Sequence, residues 1–430
     1  MSDEILAYLW DDPPALAACG LTCRAWLPIA RTQLFRVVRL KGDKSYSRFR
    51  ALLKASPAVA HYVRKLDLSQ KWASVKTDTR LECGWVELLL RLPRVEEVHL
   101  TGMNFHLTNK LWCGLRSRTP VLSIKALHLS NVPYVDSELQ LFLSACSRLS
   151  VLHMHTTRST VTFTGIARSL ALVRWPLVSW YTMERSLSNV FSSGRSRPTP
   201  VWVPDALRLE DFAFHPIFGC AGVLSWLLSR ACRPQTLSIS SRTFSPEYTL
   251  LVNALLSQAG DSVHDLTLSI FNGFRPVSPS YPGLDSPNLK SNTGLETLRI
   301  DAPLDHEDNF WCQCWSGLQQ VLSDIGPQHT KLRNLQLWIC PSQLDDAKRD
   351  WSIIDLLLSQ IASHRPNLVV TLSLCPPSYP RGRRIAWMGD FATALLDGLP
   401  QLLAATRRVA LLWTDSAAEY ELLYEVVRTM

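Results

Sequence analysis

Short runs of alternating apolar and polar residues recur along the chain from Lys65 onward. Such alternation predicts strands that bury one face. The runs are KLDLS at Lys65, EVHLT at Glu97, ALHLS at Ala126, VLHMH at Val151, DFAFH at Asp211, TLSIS at Thr236, DLTLS at Asp265, TLRID at Thr297, NLQLW at Asn334 and TLSLC at Thr371. Their first apolar positions lie 25 to 37 residues apart, except for one gap of 60 in which we expect a degenerate strand near Leu177–Trp180.

Helical patterns separate these predicted strands, for example at Trp85–Leu92, Glu138–Cys146, Gly222–Cys232, Tyr248–Ala259 and Ile353–Ser363. A strand and a helix repeating about every thirty residues resemble an irregular leucine-rich-repeat solenoid, in which neighbouring units bury one another's apolar faces. The regular asparagine of consensus repeats is absent. A multidomain α/β protein is the competing architecture, and the lack of a Gly-rich nucleotide loop disfavours it.

The first forty residues carry a different pattern. Asp12 followed by two prolines predicts the start of a helix, because aspartate caps free N–H groups and proline fits the first turn. Two short helical stretches follow, with apolar positions at spacings of three and four: Leu16, Cys19 and Cys23, then Leu27, Ala30 and Leu34. Helices this short bury little by themselves, so we expect an apolar face that meets a partner.

This segment resembles an F-box, the motif that docks a Skp-type adaptor of a cullin–RING ubiquitin ligase. The matching features are ILAYL at Ile5–Leu9, Leu16, CRAW at Cys23–Trp26, and LF at Leu34–Phe35, followed by AHYVRKLDLS at Ala60–Ser69. F-boxes usually open with Leu-Pro and a longer first helix, so we expect a truncated first helix. A plain helical cap on the open end of a solenoid is the alternative.

The resemblance implies an α/β chain with three parts: an F-box-like helical module at 1–40, a connecting helical segment at 41–64 and a solenoid at 65–430. It also implies an adaptor-binding set consisting of Ile5, Leu6, Leu9, Leu16, Leu21, Cys23, Trp26, Leu34 and Phe35. The expected function is that of a non-catalytic substrate receptor, which brings a protein substrate to the adaptor and its cullin. A repeat scaffold with a degenerate F-box is the alternative, and an unrecognised enzyme is the third hypothesis.

In a solenoid of this type, the residue between the two core positions of a strand points away from the core. Aligning the runs predicts a ladder of Asp67, His99, His128 and His153 on neighbouring strands about 4.8 Å apart. Together with Arg299, Gln336 and Trp338, these residues are the predicted substrate contacts, and Trp338 is the expected aromatic anchor. Three histidines also suit a transition metal or a pH sensor, but partner contact is the favoured interpretation.

Composition narrows the possible partners. The 430-residue chain is 47% hydrophobic and 19% charged, enough to bury a sizeable core, and no stretch is long and apolar enough to span a bilayer. Its net charge of +8 is dispersed. The densest basic cluster, Arg381, Arg383 and Arg384, falls in the predicted surface loop Pro376–Arg384, so we expect no nucleic-acid binding. Two further surface loops are predicted at Ser186–Pro204 and Pro276–Pro287.

The chemistry-bearing residues do not form a catalytic signature. Eleven scattered cysteines predict reduced thiols and an intracellular protein of the cytoplasm or nucleus. The Cys312-x-Cys314 pair lacks a second pair at zinc-knuckle spacing. The sequence contains no G-x-S-x-G, H-E-x-x-H or P-loop motif. We therefore expect no cofactor and no catalytic residues.

Overall fold

The architecture was examined in a computed structural model. It describes residues 8–9, 12–70, 80–103, 105, 122–155, 158–159, 208–215, 221–241, 246–270, 287–303, 311–340, 350–374, 381–406, 408–414 and 420–427. The chain forms two compact units. Unit 1 consists of Met1–Lys125, Asn131–Leu149 and Arg158–Leu207, and unit 2 consists of Ala126–Ser130, Ser150–Thr157 and Arg208–Met430.

Helices and strands alternate along most of the described chain. The helices are α1 (Pro13–Thr22), α2 (Leu27–Arg36), α3 (Gly42–Ala55), α4 (Arg80–Leu90), α5 (Asp136–Ala145), α6 (Ala221–Ser229), α7 (Pro246–Ala259), α8 (Trp311–Ser323), α9 (Ser352–Ser363), α10 (Arg381–Asp397) and α11 (Pro400–Ala405). The strands are β1 (Val37–Lys41), β2 (Lys65–Ser69), β3 (Glu97–Thr101), β4 (Ala126–Ser130), β5 (Pro133–Tyr134), β6 (Val151–His155), β7 (Arg158–Ser159), β8 (Asp211–His215), β9 (Thr236–Ser241), β10 (Asp265–Ile270), β11 (Thr297–Pro303), β12 (Asn334–Cys340), β13 (Val369–Leu374), β14 (Arg408–Thr414) and β15 (Tyr420–Val427).

Unit 1 opens with the helical pair α1 and α2. Asp12 accepts a hydrogen bond from the backbone N–H of Ala15 at 3.0 Å, which confirms the predicted start of α1. The two helices pack closely, because a Cβ added at Gly20 would stand 3.4 Å from the Cβ of Ala30. Strand β1 follows directly, so the sheet of unit 1 begins inside the segment that the sequence assigned to the helical module.

Strands β1, β2 and β3 are parallel and in chain order, with Leu66 and Leu68 fully buried on one face. Trp85 on α4 packs against Phe105 at 5.2 Å and Phe142 at 5.4 Å between ring centroids. This aromatic cluster supplies a large apolar area to a core of few elements. The parallel arrangement, with helices between the strands, is the one that the sequence predicted for this region.

Unit 2 contains a long parallel sheet. Strands β4, β6 and β8–β14 follow one another in chain order, and β15 adds an antiparallel edge. The second and fourth positions of the predicted runs are buried, as Leu237 and Ile239 illustrate. All ten predicted runs are strands, and the predicted helices lie between them. Both units are therefore mixed α/β structures built of strand–helix repeats.

The structure corrects two sequence predictions in unit 2. The alignment placed Leu372 opposite Leu335, but the strand begins two residues earlier, so Val370 pairs with Leu335. The basic cluster was also placed in a loop, whereas Arg381 begins α10. Pro380 directly precedes this helix, and proline favours a helix start as readily as a turn. Strands β14 and β15 were not predicted at all.

Some predictions lie outside the described residues. These are the degenerate strand near Leu177–Trp180, the loop Ser186–Pro204, the part of the second loop at 276–286 and the part of the third at 376–380. Among the helices that the structure describes, none combines the length and apolarity needed to cross a bilayer.

Buried polar side chains connect successive repeats of unit 2 at the turns that lead into strands. Asn292 donates through Nδ2 to the carbonyl oxygens of Leu256 and Gly260, both at 2.9 Å. His329 donates through Nε2 to the carbonyl of Leu289 at 3.0 Å, and Arg365 donates through Nε to the carbonyl of His329 at 2.8 Å. We call Asn292, His329 and Arg365 the turn donors. Each satisfies backbone carbonyl groups of the preceding repeat in bonds that are buried or part-buried.

Candidate protein-interaction surface

The helical pair of unit 1 leaves apolar side chains at its surface. Leu21 is 87% exposed at the end of α1, and Tyr8 is 85% exposed. Cys23 is also exposed, and the half-buried members of the predicted adaptor set are Leu9, Trp26, Leu34 and Phe35. Ile5 and Leu6 lie outside the described residues.

Leu16 differs from the other members of this set. Its side chain is 1% exposed, so it packs inside the module and offers no contact surface in this structure. Burial of a leucine stabilises by roughly 1.5–3 kcal/mol, so Leu16 contributes to the fold of the helical pair. The adaptor-binding role of the other predicted residues remains a prediction.

The predicted contacts in unit 1 lie on neighbouring strands. Asp67 on β2 is paired with His99 on β3, and both side chains are half-buried on the face opposite the core. Glu97 lies beside them, where its carboxylate accepts from Lys65 Nζ at 2.7 Å and lies 2.5 Å from Nε2 of His99. This end of the face is therefore a network of charged and hydrogen-bonding side chains.

Unit 2 brings four histidines together on the same kind of face. His128 is paired with His153 across β4 and β6, and His155 is paired with His215 across β6 and β8. The ring centroids are 4.7 Å apart for His128 and His153, 5.9 Å for His153 and His155, and 4.8 Å for His155 and His215. We call these four residues the histidine patch.

Two polar groups orient rings of the histidine patch. Nε2 of His153 donates to Oδ2 of Asp211 at 2.8 Å, and Nε2 of His215 lies 2.9 Å from Oγ of Ser238. Burial, together with the neighbouring His155 and His153, lowers the pKa of His215 to about 4. Burial and the neighbouring His153 also lower the pKa of His155. The imidazoles of His155 and His215 are therefore neutral at neutral pH.

A second polar group forms further along the sheet. The guanidinium carbon of Arg299 stands 4.7 Å from the ring centroid of Trp338, a cation–π arrangement. Nε of Arg299 donates to Oδ1 of Asp301 at 2.8 Å, and the hydroxyl of Ser269 donates to the other carboxylate oxygen at 2.9 Å. These four residues, the Arg299 cluster, join strands β10, β11 and β12.

The remaining predicted contact lies beside this cluster. Gln336 on β12 donates through Nε2 to Oγ of Ser373 on β13 at 2.7 Å. The indole Nε1 of Trp338 is buried and has no acceptor within the described part of the chain.

Sequence reasoning missed several members of these groups. His215, Asp211, Asp301 and Ser269 stand at the first or fifth position of their runs, and Ser373 stands at the middle position of its run. Those positions share a face with the middle residue, because side chains alternate with a period of two. Extending the predicted ladder to the fifth position would have found His215 from the sequence alone.

Cys19, Cys23, Cys146 and Cys232 are free thiols. Cys146 and Cys232 are buried, and burial raises the pKa of the Cys232 thiol to about 11. A thiol with so high a pKa is almost entirely protonated at neutral pH and is a poor nucleophile. These two cysteines therefore behave as apolar core residues.

Comparison with known proteins gives little. No protein-family model matches the chain, and no curated protein matches it. Among solved structures, it is similar to the leucine-rich repeat-containing protein LegL7 from Legionella pneumophila, with a TM-score of 0.34 and 14% sequence identity. The alignment covers 81% of this chain and 94% of LegL7.

Proposed function

We propose that this chain is a non-catalytic substrate receptor of an SCF-type ubiquitin ligase. Its repeat face captures a protein substrate, and its N-terminal helices dock a Skp-type adaptor and, through it, a cullin. Ubiquitin transfer is then performed by other subunits. The chain contributes proximity, because holding a substrate lysine near the reacting centre raises its effective concentration.

The observation that carries the proposal is the polar face of the sheet in unit 2. Arg299 and Trp338 are half-buried and meet across β11 and β12, and Arg299 also pairs with the buried Asp301 on its own strand. Tryptophan and arginine are the residues most enriched at interaction hot spots. Side chains held rigidly before binding lose less conformational entropy when a partner arrives.

Adaptor docking is supported by the resemblance to an F-box and by the surface of the helical pair. Leu21, with 87% of its surface exposed, would be covered by an adaptor. Trp26 and Phe35 are half-buried and extend the same module. The alternative is a repeat scaffold that binds its partner without recruiting a ligase, and it predicts no adaptor affinity.

The decisive experiment measures binding of the purified full chain to a purified Skp-type adaptor by calorimetry. We expect saturable binding that Leu21→Asp weakens at least about tenfold, because a charge replaces a leucine whose burial is worth roughly 1.5–3 kcal/mol. Leu21 is the appropriate position, since its exposure lets the free protein tolerate the change. Leu16→Asp would instead disrupt the interior of the module.

Leu356→Asp is the matched control. Leu356 lies on α9 in unit 2 and is 43% exposed, so the same substitution there should leave adaptor affinity unchanged. If the folded wild-type chain shows no adaptor binding, ligase recruitment is excluded and the scaffold alternative stands.

A further inference from the structure

The excess of positive charge in this chain lies in one short segment. Residues 24–54 contain nine arginines and lysines and one aspartate, a net charge of +8 that equals the net charge of the whole chain. The basic residues are dispersed along the sequence, but their excess over acidic residues is not. We call residues 24–54 the basic segment. In unit 1 it comprises α2, β1 and most of α3, which follow one another without a connecting loop.

Most bases of this segment have no acidic partner. Eight of the nine are exposed and form no ion pair with any described residue. They are Arg24, Arg31, Arg36, Arg39, Lys41, Lys44, Arg48 and Lys54. The ninth, Arg50, lies 3.4 Å from Glu87. Unit 1 does use acids to pair bases elsewhere, as Lys65 with Glu97 at 2.7 Å shows, but none of the described acids pairs with these eight.

The unpaired bases occupy the solvent-facing side of each element. Arg39 and Lys41 alternate with buried residues along β1, so both project from the face opposite the core. Lys44 and Arg48 lie one turn apart on α3, whose other side is buried. In a layer of helices on a sheet, the open sheet face and the outer side of a helix point in opposite directions. The bases therefore run around the sheet edge that β1 forms.

Two of these positions oppose the stability of the fold. Lys44 lies in the first turn of α3, where the helix dipole disfavours a positive charge. Arg48 stands four residues further on the same side, and like charges at this spacing repel. Local cost of this kind is typical of residues that serve binding.

A nucleic-acid backbone is the polyanion that fits this distribution. Each nucleotide supplies a phosphate, so a strand can follow bases that run around an edge. A bilayer surface is flat and would meet one side of the edge, and a folded acidic protein would need carboxylates placed to match. Five of the eight bases are arginines, whose planar fork bonds two phosphate oxygens at once.

We propose that the basic segment binds the phosphate backbone of a nucleic acid, without selecting its sequence, because backbone contacts carry no base information. This proposal replaces the expectation of no nucleic-acid binding, which considered the density of bases at Arg381–Arg384 and not the local excess over acids. It does not depend on the proposed ligase function, since none of the eight bases belongs to the predicted adaptor-binding set.

The test titrates a fluorescently labelled single-stranded oligonucleotide with the purified full chain at salt concentrations from about 50 to about 200 mM. Each phosphate contact contributes about −0.7 to the slope of log affinity against log salt concentration, so eight contacts predict a slope of about −5 to −6. Arg39→Gln/Lys41→Gln/Lys44→Gln/Arg48→Gln should make the slope less steep by about 3 and weaken binding at least about a hundredfold at the lowest salt concentration. Its Tm should be unchanged or higher, because like charges are removed.

A second variant covers the case in which the first does not fold. Arg24→Gln/Arg31→Gln/Arg36→Gln changes exposed bases in and beside α2 and should make the slope less steep by about 2. If both folded variants keep the wild-type slope, the basic segment does not bind nucleic acid.

The matched control removes four charges from exposed positions outside the basic segment. This variant is Arg94→Gln/Arg233→Gln/Lys331→Gln/Arg333→Gln. It should keep the slope and stay within about twofold of the wild-type affinity. A loss as large as that of the first variant would overturn the proposal, because overall charge would then explain binding. Tighter binding of the wild-type chain to a polyglutamate peptide or to phosphatidylserine vesicles would also overturn it, in favour of an acidic protein or a membrane.

Discussion

Unit 2 holds two sets of polar side chains that differ in their partners. The turn donors bond to backbone carbonyls of the preceding repeat, as Asn292 does with Leu256 and Gly260. The members of the histidine patch and of the Arg299 cluster, which together we call the face groups, bond to other side chains. His153 bonds to Asp211 and Arg299 bonds to Asp301. The turn donors are almost fully buried, whereas His153 and Arg299 keep part of their surface exposed.

The difference between the two sets indicates which polar residues are structural. A buried carbonyl cannot move to another donor, so the loss of a turn donor leaves an unsatisfied group inside the protein. A half-buried side chain on the open face can turn to water when its partner is removed, so losing that partner costs little stability. The turn donors therefore belong to the fold, and the face groups are available for binding.

The largest expected effect is at Asn292, which is fully buried. Asn292→Ala should lower the free energy of unfolding by about 2–4 kcal/mol, because two carbonyls lose their donors. Asn292→Asp should cost at least as much, since a carboxylate keeps the shape but faces the same carbonyls with acceptors. Urea denaturation of the two variants measures both values.

Asn288→Ala is the control for this position. Asn288 is exposed and accepts one local hydrogen bond, from the backbone N–H of Lys290 at 3.0 Å. It should cost less than about 1 kcal/mol. If Asn292→Asp were as stable as the wild type, the side chain's hydrogen bonds would not be what holds the repeats together.

The turn donors also show where sequence reasoning stopped. The alternation of apolar residues predicted the strands well, because burial of one face requires it. The same pattern does not identify a donor at a turn, and here asparagine, histidine and arginine fill equivalent roles. The absence of the consensus asparagine therefore does not remove the hydrogen bond between repeats. Any side-chain donor that reaches a backbone carbonyl of the preceding repeat can make it.

The register error in β13 has a similar cause. Val369 and Val370 are both apolar, so alternation alone does not fix where the buried face begins, and pairing with β12 decides it. The face residues were predicted in part, because the middle position was considered throughout and the fifth position only in some runs, such as that of Trp338. His128 and His153 were therefore predicted to be neighbours, and the contribution of His215 was missed.

A smaller effect on the free energy of unfolding is expected when a fall in pH protonates His215. Histidine has an ordinary pKa of 6.5, and in the folded chain the pKa of His215 is about 4. Well above pH 6.5 this imidazole is neutral in both states and its contribution to stability is complete; as pH falls from there toward 4, the unfolded chain takes up a proton that the folded chain does not. The chain should therefore lose roughly 1–2 kcal/mol of unfolding free energy between about pH 7 and about pH 5.

His215→Gln isolates this contribution. Glutamine keeps a polar side chain near Ser238 and does not titrate, so the variant should lose less stability over the same pH interval. The pH interval from about 7 to about 5 ends above the range in which most carboxylates titrate. Carboxylates therefore contribute little to the change in unfolding free energy over it. Identical pH profiles for the variant and the wild type would show that His215 takes up its proton equally well in the folded state.

The smallest effect on stability, and the largest on binding, is expected at Arg299. Arg299→Ala removes a cation–π contact and an ion pair in which only the arginine is partly exposed; because Ser269 still donates to the buried Asp301, it should cost less than about 1.5 kcal/mol of unfolding free energy. Proteins retained by the wild-type chain from an extract should nevertheless bind the variant about tenfold less, because an interaction hot spot is lost. Arg333→Ala, at an exposed position one residue before β12, is the matched control.

If Arg299→Ala unfolds the chain as readily as Asn292→Ala does, then the face groups also belong to the fold, and the distinction between the two polar sets fails. If instead the variant is stable and retains every partner, the recognition surface lies elsewhere on the protein.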